Sequence, residues 1–163
     1  MTQESFDRSA GVLMPVSSLP APYGIGTFGK SAYELVDKLV EARQKYWQVL
    51  PIGPTSFGDS PYASFSAFAG NPYFIDLDTL IEEGLLERDY VNSFMWNIED
   101  KYVDYGLIYN SRFKVLRTAF ENSNHFETEE YKKFLKENEF WLEDYCIDSC
   151  LLYTSPSPRD RSL

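Results

Sequence analysis

The chain alternates between short apolar runs, Gly/Pro-rich stretches and longer segments with helical periodicity. Ala10 to Val16, AGVLMPV, is a compact apolar run of the kind a strand buried on both faces shows. The next thirteen residues, SSLPAPYGIGTFG, hold too many Gly and Pro for regular structure. Ser31 followed by Glu34 has the spacing of a capping box, and Leu35, Val36, Leu39 and Val40 then fall on one helical face. This predicts a helix ending near Arg43 and a second buried strand over Tyr46–Leu50, closed by Pro51. Strand, loop, helix, strand is one βαβ unit, which requires a parallel sheet with a right-handed crossover. An open sheet and a closed barrel both begin this way, so the unit by itself leaves the α/β architecture open.

Beyond Ile75 the pattern becomes helical. A short helix capped by Asp78 is predicted to stop around Gly84. Asp89 to Asn124 reads as helix, with Tyr109, Phe113, Leu116 and Phe120 forming the inward stripe. Another helix is expected from Thr128, turning Tyr131, Phe134, Leu135, Leu142 and Tyr145 inward and Lys132, Lys133, Lys136 and Glu139 outward. Aromatic stripes at this spacing belong to a core more often than to a binding surface.

Between the second strand and this helical part lies Gly53 to Pro72, GPTSFGDSPYASFSAFAGNP, with three Gly and three Pro in twenty residues. So long an irregular stretch is uncommon inside a compact domain unless it is functional or disordered. Phe57, Tyr62, Phe65 and Phe68 make it too apolar for a solvated linker. An ordered loop with Asp59, Ser60 and Tyr62 at its centre suits a polar ligand with apolar faces, a sugar being the obvious candidate. On chemistry alone an equal reading stands beside it, in which the aromatics fill a core beneath the loop.

Two ungapped blocks bear on that choice. AGVLMPVSSLPAPYGIGTFGKSAY and YWQVLPIGPT, followed two residues later by GDSPYASFSAFAGNPYFIDLDTL, resemble the amino-terminal region of the 4-α-glucanotransferases, the amylomaltase or disproportionating-enzyme family. The resemblance covers residues 8 to 90 closely and runs more loosely to Tyr145. It implies an incomplete amino-terminal part of a (β/α)8 TIM barrel, residues 1–88, with a mostly helical insertion, residues 89–149, after the second strand. Active sites of such barrels lie at the carboxyl ends of the strands, where both Gly/Pro loops would sit. The implied activity is transfer of α-1,4-glucan segments to a sugar acceptor with retention, which takes two carboxyl groups close together. In the family those carboxylates come from later strands, and none of their motifs appears here. No residue of this chain is therefore expected to be catalytic, and the chain alone is expected to be inactive. The resemblance places Ser60 and Tyr62 in donor subsites, Tyr62 as a stacking platform. Asp59 stands in the same cleft, where its carboxylate orients the loop as Asx residues do in turns. Phe57 is a substrate contact at a position where relatives often carry Tyr, so a hydrogen bond is lost there and an apolar platform kept. The expected partners are α-1,4-glucans and maltooligosaccharides, with no cofactor and no metal.

Composition narrows the alternatives. A net charge of −10 argues against nucleic acid or an anionic membrane as partner. No apolar stretch reaches the ~18 residues needed to span a bilayer, and MTQESFDRSAG has no signal-peptide pattern, so a cytoplasmic location is expected. Cys146 and Cys150, with His125 the single histidine, fall short of a four-ligand zinc site. A non-catalytic carbohydrate-binding module is the rival reading, supported by the aromatics and weakened by the βαβ start. A helical interaction protein draws support only from residues 89 to 145. From Cys150 the chain turns into CLLYTSPSPRDRSL, without periodicity. Residues 150 to 160 can be written codon for codon as a transposon-based sequencing adapter, so residues 150–163 are expected to be adapter-derived and not native.

Overall fold

A computed structural model describes residues 8–55, 58–99 and 101–154, without the side chains of 148 and 150–154. Its sheet has two parallel strands, β1 (Gly11–Leu13) and β2 (Tyr46–Gln48), joined by helix α1 (Lys30–Glu41). Gly11 pairs with Tyr46, Val12 with Trp47 and Leu13 with Gln48. The ladder is extended by Lys45 N–H donating to the Ala10 carbonyl (2.9 Å) and Met14 N–H to that of Gln48 (3.0 Å). It stops there, where the chain turns at Pro15, the residue that precedes a 3₁₀ turn. The apolar run expected to be strand as far as Val16 instead ends in a 3₁₀ turn, Val16–Ser18. The Trp47 indole donates to the Met14 carbonyl at 2.8 Å, tying β2 to the end of β1.

Helix α1 does not start on the expected capping box. It begins at Lys30 with Gly29 as its cap, and the Ser31 hydroxyl donates instead to the Pro20 carbonyl at 2.6 Å. A Cβ at position 29 would meet the Asp76 carboxylate, which would have to shift to admit it. That same carboxylate caps helix α2 (Leu77–Glu82), in place of the expected Asp78. Asp76 Oδ1 accepts from the Thr79 amide (2.9 Å) and hydroxyl (3.0 Å), and Oδ2 accepts from the Thr27 hydroxyl (2.6 Å). Asp78, two residues further on, lies inside the first turn. It accepts there from the Tyr23 hydroxyl (3.0 Å) and Arg88 (2.8 Å). Gly84 ends the helix with a φ of 75°.

The segment expected to be one long helix from Asp89 is two, α3 (Arg88–Asn92) and α4 (Tyr105–Glu121), separated by irregular chain. Asp104 caps α4 by accepting from the Leu107 amide at 3.0 Å. The expected inward stripe is displaced by one residue, or about 100° around the helix. Ile108, Ser111, Arg112, Val115 and Ala119 are buried, whereas Tyr109 and Phe120 are exposed. Phe113 and Leu116 lie on the border of the two faces and pack against the core. That core joins Tyr23, Ile25, Tyr73 and Leu77 to Val91, Trp96, Ile108 and Val115. It therefore crosses residue 88, and the compact units divide instead after Asn122.

In the second unit the described residues form a 3₁₀ turn, His125–Glu127, and helix α5 (Glu129–Thr154). Thr128 caps α5, its hydroxyl accepting from the Tyr131 amide at 3.2 Å. Of the stripe expected inward, Tyr131, Phe134 and Leu135 are exposed, and Leu142 and Tyr145 are half-buried. One helix and one turn give no second layer to bury a stripe against. No described helix is long and apolar enough to cross a membrane.

Burial pushes the Asp76 carboxyl up, but hydrogen bonds from Thr27 and Thr79 and the Arg112 charge outweigh it and hold its pKa below the ordinary value. A lowered folded-state pKa means stability present at neutral pH and lost as pH falls through that lowered value. Asp76→Ala should cost ~2 kcal/mol from the lost cap and hydroxyl bonds. Amide exchange at Thr79 should then speed up about 30-fold at neutral pH, and unchanged exchange would refute this role for the cap.

Candidate functional site

Both Gly/Pro loops leave the carboxyl ends of the parallel strands, and they meet there. The first, residues 14–29, is held by Gly26 N–H donating to the Ser17 carbonyl (3.1 Å) and Phe28 N–H to that of Phe74 (3.1 Å). The second is closed at its base by Asn71 N–H donating to the Ile52 carbonyl at 2.8 Å. Midway, Thr55 and Ser64 form an isolated antiparallel bridge. Serine hydroxyls then do the work of a ladder: Ser66 Oγ accepts from the amides of Phe68 (3.2 Å) and Ala69 (3.0 Å). The buried Asn71 accepts from the Tyr73 amide at 2.9 Å, turning the chain into the core.

Gly58 and Asp59 form the tip, with φ of 90° and 51°. The left-handed region favours Gly and tolerates Asp or Asn, whose short polar side chains bond locally. A turn follows in which the Ser60 carbonyl accepts from the Ala63 amide (3.0 Å) and its hydroxyl from that of Tyr62 (3.4 Å). The Ser60 hydroxyl is thus a loop-building group here. Tyr62 is 75% exposed, leaving its ring free to cover a ligand. Phe57 lies outside the described residues.

Beneath the tip is a cavity of about 230 Å³, lined by Val16, Ser17, Ile52, Thr55, Asp59 and Tyr105 among others. Asp59 and Tyr105 face one another across it. Burial raises the Asp59 carboxyl, and a hydrogen bond from Thr55 opposes the rise. Burial also raises the Tyr105 hydroxyl, with the Asp59 charge adding to it and a hydrogen bond with Ser17 opposing. Among the described residues lining this cavity Asp59 is the single carboxylate. A second carboxylate at the spacing that a retaining glycosidic reaction requires is therefore not placed beside it. A wider cavity of about 760 Å³ adjoins it, between the first loop and Asn97, Lys101, Tyr102 and Val103. Among the described residues no group of three or more His, Cys, Asp or Glu can hold a metal ion.

Ser17 and Tyr105 were not singled out from the sequence. Ser17 follows a strand and had that much signal; Tyr105 sits in a helical stretch far along the chain and had none. The left-handed tip gives a direct test. Asp59→Asn should leave stability nearly unchanged, whereas Asp59→Val should cost ~1–2 kcal/mol from the steric penalty at positive φ. Chemical denaturation distinguishes them, and equal losses would show that the charge, not the backbone, sets the residue.

Comparison with known proteins gives a consistent result. A family model described as 4-alpha-glucanotransferase matches residues 14–159, and so reaches into the segment 150–163. A 4-alpha-glucanotransferase of Clostridium butyricum is 54% identical over 140 residues, which are 86% of this chain and 29% of that protein. One from Streptococcus pneumoniae is 50% identical over 137 residues, 83% of this chain and 27% of the relative. The solved amylomaltase from Streptococcus agalactiae in complex with acarbose superposes with a TM-score of 0.77 at 45% identity, covering 85% of this chain and 28% of that one. The chain thus spans less than a third of the length of these relatives. With the match extending over most of its residues, the chain belongs to the 4-alpha-glucanotransferase family.

Proposed function

We propose that this chain supplies the opening of a (β/α)8 barrel, with a helical insertion after the second strand, in a cytoplasmic enzyme that transfers α-1,4-glucan segments between maltooligosaccharides. The observation that carries the reading is the cavity at the carboxyl ends of β1 and β2, between the two strand-end loops of a family member. That is the face on which barrels of this kind do their chemistry. The acarbose bound to the S. agalactiae amylomaltase supports a saccharide as its occupant.

In this reading Tyr62 offers its exposed ring to an apolar sugar face, Ser60 and Asp59 hold the turn that presents it, and Phe57 adds an apolar platform. Retention would proceed through a glycosyl-enzyme whose nucleophile and acid/base are carboxylates contributed by other parts of the protein. The residues here bind and orient the donor, so the 163-residue chain alone should not transfer glucan.

The test is a chimera in which this sequence replaces the 140 matching residues of the C. butyricum relative. Maltotriose should be converted to glucose and longer glucans without nucleotide or metal; hydrolysis with no longer products would sink the transferase reading. In the chimera Tyr62→Ala should lose more kcat/KM than Tyr62→Phe. An aromatic anchor is worth ~2 kcal/mol or more, against ~0.5–1.5 kcal/mol for a typical hydrogen bond. Equal losses would reverse the ranking of ring over hydroxyl.

A further inference from the structure

Tyr105 reaches the cavity under the loop tip from outside both strand-end loops. It is the first residue of α4, whose start is fixed by the Asp104 cap accepting from the Leu107 amide (3.0 Å). Its ring packs against the core, with the ring of the buried Tyr73 centred 6.4 Å away. Its hydroxyl bonds with Ser17 and feels the Asp59 charge, and both of those residues line the cavity. The side chain thus keeps its apolar body in the core and its polar end at the cavity.

The direction of each hydrogen bond decides what is left to give. The bond with Ser17 lowers the Tyr105 pKa, which is the effect of a donor held against the phenol oxygen. Ser17 therefore donates, and the Tyr105 proton remains to be given elsewhere. Asp59 is the complement. Its carboxylate accepts from Thr55, yet burial prevails and raises its pKa. A carboxylate has about four acceptor positions, so capacity remains after one bond. Asn71, also in the lining, is committed to the Tyr73 amide (2.9 Å). Among the described lining residues Asp59 and Tyr105 are the titratable groups, and none is a cation. A half-buried carboxylate with so few donors is stabilised when another donor arrives.

We propose that Tyr105 and Asp59 form a donor–acceptor pair that grips one hydroxyl of the donor glucan, which accepts from the Tyr105 O–H and donates to the Asp59 carboxylate. The proposal rests on the glucan-transfer reading and adds to it a specificity-determining residue from the helical segment. A hydroxyl satisfies both partners because it donates and accepts at once. A site built to bond a hydroxyl rejects the analogue without it, since its own polar groups are then left unpaired. Asp59 combines two tasks in this arrangement. Its backbone makes the left-handed turn of the tip, and its side chain serves the cavity below.

The experiment uses the same chimera, and conversion of maltotriose before any substitution tests the underlying reading separately. Tyr105→Phe should lower kcat/KM for maltotriose about fivefold, because one hydrogen bond is lost while the ring stays in place. On a series of maltotrioses each lacking a single hydroxyl, that loss should vanish for one member, whose bond to Tyr105 is already gone. An unchanged kcat/KM overturns the pair. So does the same fivefold loss on every member of the series, which a merely structural hydroxyl would produce. A direct measurement covers a chimera that binds without turning over. Saturation with maltotriose and its products should lower the Asp59 pKa, followed by carbon NMR of its carboxyl, because a donated hydrogen bond favours the carboxylate. An Asp59 titration that sugar leaves unmoved, while Tyr62 signals respond, overturns the pair and leaves the cleft standing.

Discussion

The Asp76 carboxylate is the constraint on which the arrangement of this chain depends. Its two oxygens serve the Thr27 hydroxyl of the first strand-end loop and the first turn of α2. It packs against Gly29 at the start of α1, where an added Cβ would force the carboxylate to move. The neighbouring Ile75 carbonyl accepts from the fully buried Arg112 of α4. Residues 27–29 and Arg112, far apart in sequence, therefore converge with the start of α2 on two adjacent residues. The loop 53–72 ends immediately before them, so where its tip stands relative to the first loop follows from this junction.

How much of this was legible in the sequence depends on the range of each interaction. The two strands and the crossover helix were readable, because apolar runs and helical periodicity are local. So were the Gly84 stop and the Thr128 cap. Two helix starts were misread: α2 is capped by Asp76, two residues before Asp78, and α1 starts from Gly29 without a side-chain cap. Ser31 and Asp78 both have the right chemistry, but Ser31 spends its hydroxyl on the Pro20 carbonyl and Asp78 its carboxylate on Tyr23 and Arg88. The α4 stripe was missed by one residue for a related reason. Tyr109 and Phe120 are the more apolar choice by composition, yet the face turned inward carries Arg112 and Ser111. A buried arginine looks like surface until its partner is known.

The site was legible in the same partial way. Asp59, Ser60 and Tyr62 stood out because a Gly/Pro loop of that length with that chemistry demanded an account. Tyr105 and Tyr102 did not, since each reads as an ordinary helical or connecting residue. They reach the strand ends only because the core of Tyr73, Trp96 and Ile108 draws residues 91–119 onto the first part of the chain. The helical segment thus builds part of the cleft wall, and the cavities belong to a junction of loops and not to one loop.

Burial of Arg112 makes that junction costly to rearrange. Burial lowers its pKa to about 10, with the charge on Asp76 and the proximity of Tyr73 opposing the fall. At neutral pH the guanidinium therefore remains charged within the core. Its Nε and Nη1 have no hydrogen-bond partner among the described residues, so its charge is balanced chiefly through Asp76 and the Ile75 carbonyl. The nearby Asp76 charge favours the charged guanidinium, so its removal would weaken that support without breaking a direct ion pair. Variation is left to the exposed rim, where Tyr62 and Tyr102 contribute rings to solvent and nothing to the core. A rigid charged junction below and replaceable aromatic surfaces above is an arrangement in which ligand preference changes without disturbing the fold.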